Sequence, residues 1–351
     1  MMQQQVIRAA LEAWRRGEAG ALGTIVAVEG SAYQREGASV YVAPDGSVQG
    51  LISGGCLESE VAGEAQGLAA DTPQVLRYDT SDESIFGYGM GCPGIVDVLL
   101  EKLPPGDTPL GRFLERVADG VPAARGVRLD RAREGVLRDI CYIPGRAPVG
   151  SLGDADLDDA FVTFAQERLE ASRAPEARRM EGLPSQADVF AWIVPPEAEC
   201  VIFGATDDAQ PLAQMAGEIG LKVLVVDPRS HLAQPERFPT AEVRCVALRD
   251  YVEVIELDRQ SYVVVMGHQV ERDLAALALA LRAEVPYIGL LSSQGRRESM
   301  LSHLRTDGLI TEVDPPSLRS PAGIWIGART PEEIALSIVA EICSVRRQAA
   351  R

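Results

Sequence analysis

Val201-Ile202-Phe203-Gly204-Ala205-Thr206-Asp207-Asp208-Ala209, a helical pattern from about Gln210 to Ile219, and then Val223-Leu224-Val225-Val226-Asp227 form the stretch that decides the fold. An apolar run ends in glycine, a segment with helical period follows, and a second apolar run closes on an acid. Strand, glycine turn, helix and strand make the opening unit of a Rossmann-like sheet, because a right-handed crossover lays the second strand parallel to the first. Tyr262 to Met266, a helix around Asp273 to Arg282, and Tyr287 to Leu291 continue the alternation. The last helix opens with Thr330-Pro331-Glu332-Glu333, where threonine caps, proline fills the first turn and Glu333 completes a capping box. The expected fold is α/β: a doubly wound parallel sheet over residues 199–351, preceded by an α/β domain over residues 1–194.

The glycine turn also poses a ligand question. A dinucleotide fingerprint asks for G-x-G-x-x-G, and here Gly204 supplies the first glycine while Thr206 and Ala209 stand at the other two positions. Asp227 falls where a ribose-binding acid belongs, so Gly204 and Asp227 are the nucleotide-binding candidates. Asp207 and Asp208 lie where a diphosphate would meet the helix. At ~4 Å and an effective dielectric of 20, each contact between like unit charges costs about 4 kcal/mol. Alternatively, the two acids complement the helix dipole by about 0.3–1 kcal/mol each. Both readings weaken NAD(P) binding. His268, just past the third strand, sits on the ligand-binding edge of such sheets or simply caps a loop.

Upstream, Val6, Ile7, Ala10, Leu11 and Trp14 mark one face of an amphipathic first helix. Ala21 to Val28 and Ala38 to Val42 read as strands, with a turn at Pro44-Asp45-Gly46 before a strand-like run to Ile52. Ser53-Gly54-Gly55-Cys56 then leads into a helical pattern from Leu57, which puts Cys56 at or near a helix N-terminus. Unpaired N–H groups there favour anions and lower a thiol pKa. A buried cysteine in a tight turn is the plain alternative. Gly87 to Gly94 is a second glycine-rich turn with Cys92 inside it, or merely the entry to the strand Val96 to Leu100. Residues 103–184 alternate short strands with helices at Gly111 to Ala118 and Asp158 to Arg173. They read as a continuation of the first domain or as a separate middle segment, with no internal repeat. Pro195-Pro196-Glu197-Ala198 is the domain boundary.

A net charge of −17 over 351 residues argues against nucleic acid or an anionic membrane surface as partner, since both require a basic footprint. Any phosphate must be met by local positive charge. The six cysteines are spread singly and the three histidines lie far apart, so neither a disulfide framework nor a zinc site is indicated, and a reducing cytoplasm fits. No stretch reaches the length needed to span a bilayer.

Taken together, the chain resembles the XdhC/CoxI family of accessory proteins for molybdenum-cofactor hydroxylases. The resemblance is carried by Gly30-Ser31-Ala32-Tyr33-Gln34-Arg35-Glu36-Gly37-Ala38, by Ser53-Gly54-Gly55-Cys56-Leu57-Glu58 and by Gly89-Met90-Gly91-Cys92-Pro93-Gly94. Further on it rests on Val226-Asp227-Pro228-Arg229, Arg237-Phe238-Pro239, Tyr287 to Leu291 and Pro321 to Ala335. It implies a maturation factor, non-catalytic rather than an enzyme though turnover is left open, which binds molybdenum cofactor, assists its sulfuration and passes it to a hydroxylase such as xanthine dehydrogenase. A cysteine desulfurase would supply the sulfur, and a homodimer is the expected assembly. The cargo site implied consists of Ser53, Gly54, Gly55, Cys56, Arg35, Gly91 and Cys92, with Cys56 the candidate metal contact. Two other classes remain open: an NAD(P)-dependent oxidoreductase using the Rossmann crevice, and a thiol redox or sulfur-carrying enzyme using Cys56 and Cys92 together.

Overall fold

In a computed structural model, the described residues are 2–18, 20–69, 72–79, 94–103, 107–130, 135–184, 187–311 and 314–348. They form two compact units, Met1–Pro196 and Glu197–Arg351.

The first unit runs α1 (Met2–Arg15), β1 (Ala21–Gly30), β2 (Ser39–Val42), β3 (Val48–Gly50), α2 (Cys56–Gly67), β4 (Gln74–Asp79) and β5 (Gly94–Lys102). There follow α3 (Pro109–Ala118), β6 (Ala123–Asp130), β7 (Gly135–Tyr142), β8 (Val149–Gly150), α4 (Ala155–Ala171), β9 (Glu176–Arg179) and β10 (Asp188–Val194). Helix, three strands, helix, two strands thus occurs twice. Hydrogen bonding repeats as well: β3-β2-β1-β5-β4 in the first half, β8-β7-β6-β10-β9 in the second, with β4 meeting β7 at Gln74 and Gly135.

This duplication corrects the reading that no repeat is present, and it extends to single residues. Gly50 and Gly150 both have positive φ (110° and 87°), and a β-carbon on either would lie 2.4 Å from a backbone oxygen, of Ser39 and of Asp139 respectively. Val40, Leu57, Val61 and Ala65 are core residues of the first half, as are Ile140, Leu157, Phe161 and Ala165 of the second. Two of these four pairs, Val40 with Ile140 and Val61 with Phe161, keep only the apolar class, which helps the sequence to hide the repeat. α1 and α3 share a core on one sheet face, whereas α2 and α4 each cover their own half on the other. Where the halves join, buried Arg125 pairs with Glu101 at 2.7 Å and with Asp139 at 2.8 Å.

The second unit contains β11 (Glu199–Phe203), α5 (Ala209–Glu218), β12 (Lys222–Val226), β13 (Glu242–Arg244), α6 (Tyr251–Val254) and β14 (Ser261–Val265). It is completed by α7 (Val270–Arg282), β15 (Tyr287–Leu290), α8 (Gln294–Thr306), β16 (Leu318–Arg319) and α9 (Pro331–Gln348). All neighbours pair in parallel, in the order β13-β12-β11-β14-β15-β16. That is the Rossmann order, in which the sheet grows outward from the first strand on one side and then on the other. Alternation along the strands sends Cys200, Ile202, Val223 and Val225 to α5 and α9, and Val201, Phe203, Leu224 and Val226 to the opposite core with α7 and α8. α9 starts in a capping box, with Thr330 N–H donating to Glu333 (3.1 Å) and Glu333 N–H to the Thr330 hydroxyl (3.3 Å). Among the described residues, no helix is long and apolar enough to cross a membrane.

Candidate functional site

Antiparallel pairing gathers the motifs of the first unit. β1 ends at Gly30 opposite Gly94, which opens β5, and β4 ends at Asp79 opposite Ile95. At the same end β2 begins at Ser39, and β3 finishes at Gly50 against Val40. The Gly30–Ala38 loop, the Ile52–Glu58 turn and the chain entering β5 therefore leave one edge of the first half-sheet. Gly94 touches the first loop so closely that a β-carbon there would lie 2.3 Å from the Ser31 carbonyl oxygen. Arg35 is exposed on that loop. Arg77, by contrast, is held by Asp97 (3.2 Å) and Glu29 (3.1 Å). Cys56 is the first residue of α2; its side chain, like all of Gly91 and Cys92, lies outside the described residues. Any pairing of Cys56 with Cys92 lies outside them too.

The turn before α2 is built around a residue to which the sequence reading gave no role. Glu58 is buried, and one of its oxygens accepts from the N–H groups of Ile52 (2.8 Å) and Ser53 (2.7 Å). The other accepts from Gly55 N–H (3.1 Å) and from the Ser53 hydroxyl, while Ser53 Oγ accepts from Leu57 N–H (3.0 Å). Burial alone would raise the Glu58 pKa, but the donors from Ser53 and Ile52 outweigh it and hold the carboxyl below its usual range. Two donors of the helix N-terminus, the N–H groups of Gly55 and Leu57, are thus already taken by the chain. Gly55 needs to be glycine for its φ of 117°; among the described residues, a β-carbon on it or on Gly54 would meet nothing within 4 Å. The spacing from N-cap Gly55 to Glu58 at the third helical position is the sequence signal that could have exposed this role.

At the carboxyl edge of the parallel sheet, a second cluster forms. Gly204 (φ 126°) brings the β11 turn so near the turn after β14 that a β-carbon would stand 2.6 Å from the Met266 carbonyl oxygen. Asp227 is 1% exposed, and its two oxygens accept from Ala205 N–H (2.9 Å) and from Arg229 N–H (2.9 Å), Nε (2.9 Å) and Nη2 (2.7 Å). Asp207 pairs with Arg237 at 2.7 Å, and Asp208 with His268 at 3.1 Å and with the Thr206 hydroxyl. The two acids therefore do not stand bare before the helix, as the sequence suggested. Asp273, buried, accepts from Gly267 N–H (3.0 Å) and pairs with Arg296. Among the described residues, no three His, Cys, Asp or Glu side chains could hold a metal together. Cys141 and Cys200 are sealed in the core, where burial pushes each thiol up to about 12. A cavity of about 580 Å³ opens at the other end of the sheet, among Glu199, Lys222, Arg244, Asp258 and Ser261. It lies at the amino ends of the strands, away from where open α/β sheets bind their ligands.

The model of the XdhC Rossmann domain matches residues 200–342, and that of the XdhC and CoxI family matches residues 13–79. A protein of Bacillus subtilis (strain 168), named as a probable xanthine dehydrogenase subunit, is 30% identical over 338 residues, which cover 95% of both chains. The chain belongs to the XdhC and CoxI family. The molybdenum cofactor insertion chaperone PaoD of Escherichia coli (strain K12) is 25% identical over 97% of this chain and 88% of its own. A crystal structure described as a xanthine dehydrogenase from Bacillus halodurans superposes with a TM-score of 0.81 at 28% identity, covering 99% of this chain and 96% of that one.

Within this XdhC Rossmann domain the residues do not fit a dinucleotide of the NAD(P) kind. The acid that should receive a ribose hydroxyl has both oxygens engaged by four donors of the chain itself. Thr206 stands where a bare backbone should approach the diphosphate, its hydroxyl bonded to Asp208. Asp208 in turn is tied across the crevice to His268. Arg237 braces the same turn by donating to the carbonyl oxygens of Ala205 (2.6 Å) and Leu232 (2.7 Å). Asp227 is tied to the Gly204 turn through the Ala205 N–H, in a contact internal to the fold. Arg229 and Arg237 stand in two of the family motifs, yet nothing in the sequence announces that they neutralise these acids.

Proposed function

We propose that this chain is an accessory protein that binds molybdenum cofactor, assists its sulfuration and passes it to a molybdenum hydroxylase such as xanthine dehydrogenase. The observation that carries this reading is the meeting of the motif loops at one sheet edge, in a chain alike over nearly its whole length to an insertion chaperone for that cofactor. The cargo is a pterin dithiolene with an anionic phosphate and a soft metal–sulfur end. Cys56 at the head of α2 is assigned to that soft end, because thiolate is the protein ligand that such a centre prefers. Arg35, exposed on the neighbouring loop, is assigned to the phosphate. Ser53, Gly54, Gly55, Gly91 and Cys92 complete the site in this reading. A cysteine desulfurase provides the sulfur, the protein acts as a homodimer, and the cytoplasm is its place. Turnover on the Rossmann domain has no part in it.

Purified protein loaded with the cofactor should retain pterin fluorescence through gel filtration. Cys56→Ala should weaken that retention about tenfold, the equivalent of about 1.4 kcal/mol. Equal retention by the variant would remove Cys56 from the site, and no retention by the parent protein would end the reading.

A further inference from the structure

We propose that Glu58 fills the anion position at the start of α2 from within the chain, which keeps a cargo's phosphate away from Cys56 and leaves only the metal-bearing end of the cargo to reach the thiol. The proposal rests on the reading of Cys56 as the residue that meets the cargo. A free helix N-terminus attracts phosphate through unpaired N–H groups and the dipole. Here a buried carboxylate accepts from the N–H groups of Ile52, Ser53 and Gly55 and from the Ser53 hydroxyl, and that hydroxyl accepts from Leu57 N–H. An incoming phosphate would have to displace it from all four donors or lie against a second anion.

The duplicated half supplies an independent observation. There Asp158 stands at the position of Glu58 and takes the N–H of Leu152 at 2.6 Å, as Glu58 takes that of Ile52. Asp154 adds bonds from the N–H groups of Asp156 (2.9 Å) and Leu157 (3.2 Å). In this copy Asp154, Ala155 and Asp156 occupy the places of Gly54, Gly55 and Cys56. Tying the turn before the helix to a carboxylate inside its first turn therefore belongs to the repeated module, although the N–H groups at the start of the second helix are taken by Asp154, at the position of Gly54. Glu58 is a positioning residue: it shapes the turn that presents Cys56 and determines which end of an anionic guest can approach. Among the described residues, a β-carbon on Gly54 or Gly55 would touch nothing within 4 Å.

The test uses the full-length protein without cargo and inorganic phosphate as the probe. Alkylation of Cys56 by a neutral reagent is followed by mass spectrometry of the peptide that carries it, at constant pH and at ionic strength matched with chloride. The parent protein should react at a rate independent of phosphate. In Glu58→Gln, phosphate should slow the reaction about threefold or more and saturably, as the vacated helix start becomes an ordinary anion site. Saturable slowing in the parent protein overturns the proposal, and this arm holds even if the Gln variant fails to fold. A folded Glu58→Gln that ignores phosphate overturns it as well. Because no cofactor is present, these results stand apart from the retention experiment: loss of cargo binding there would sink the proposed function and leave the role of Glu58 to be decided here.

Discussion

His268 combines a left-handed backbone (φ 59°), uncommon for a residue with a β-carbon, with an ion pair to Asp208. The two features belong together, since the turn after β14 must take this shape for the imidazole to reach across to the turn after β11. Hydrogen bonding to Asp208 raises the imidazole above its ordinary 6.5; for Asp208, burial pushes upward, but His268 and Thr206 win and lower it. Asp273, buried behind the same turn, and Arg296 act on His268 in opposite directions. Because the folded state binds the imidazole proton more tightly than the unfolded chain does, the pair's contribution is full below about pH 6.5 and is lost as pH rises through the higher folded-state value. His268 is 47% exposed, so screening limits the contribution to below about 1 kcal/mol. The parent protein should therefore lose about 1–3 °C of Tm between pH 6 and pH 8 relative to His268→Asn. Asparagine tolerates the left-handed backbone but cannot titrate. Differential scanning calorimetry of both proteins at the two pH values is the check, and parallel curves would show that the pair contributes nothing.

Gly204 is where an element depends on one missing side chain. Alanine there would force a β-carbon to within 2.6 Å of the Met266 carbonyl oxygen at a φ of 126°. The neighbour is backbone and cannot swing aside, so Gly204→Ala should cost about 1–3 kcal/mol in urea unfolding; a change within about 0.5 kcal/mol would mean that the two strand ends part without penalty. This glycine was legible because it interrupts an apolar strand directly before a helix. β11, β12, β14 and β15 were legible for a related reason: strands covered on both faces are nearly continuous apolar runs. α8 was not, since Gln294-Gly295-Arg296-Arg297-Glu298-Ser299 is polar and only Met300, Leu301 and Leu304 are buried. β9, Glu176–Arg179, escaped notice because Glu-Ala-Arg-Arg carries no strand pattern and is held by its pairing with β10. β3 ends at Gly50 rather than running to Ile52, because the N–H groups of Ile52 and Ser53 turn inward to Glu58. Contacts that join distant residues, such as Asp227 to Ala205 and Asp208 to His268, leave no periodic trace.

Over the molecule as a whole, the candidate site was legible as three glycine-marked blocks, whereas the meeting of the Gly30–Ala38 loop, the turn before α2 and Gly94 at one edge follows from strand pairings that no local pattern announces. The duplication escaped for a complementary reason: burial constrains the class of a residue and not its identity, so Val61 and Phe161 do equivalent work without resembling each other. Charge acts at this scale too. With a net −17, the chain as a whole repels an anionic cargo at long range, against the local attraction proposed for Arg35. The reach of the repulsion is set by the Debye length, about 30 Å at 0.01 M salt and about 8 Å at 0.15 M. At low salt the cargo meets the field of the whole protein; at physiological salt it meets only the charges lining the edge. The rate of cofactor uptake should thus rise a few-fold as salt increases over that range, the reverse of what a basic binding protein shows. Stopped-flow mixing of cofactor with apoprotein at several salt concentrations would measure it. A rate that falls with salt would mean that Arg35 and its surroundings govern the encounter from a distance, and would require a positive field at this edge strong enough to overcome the charge of the rest of the chain.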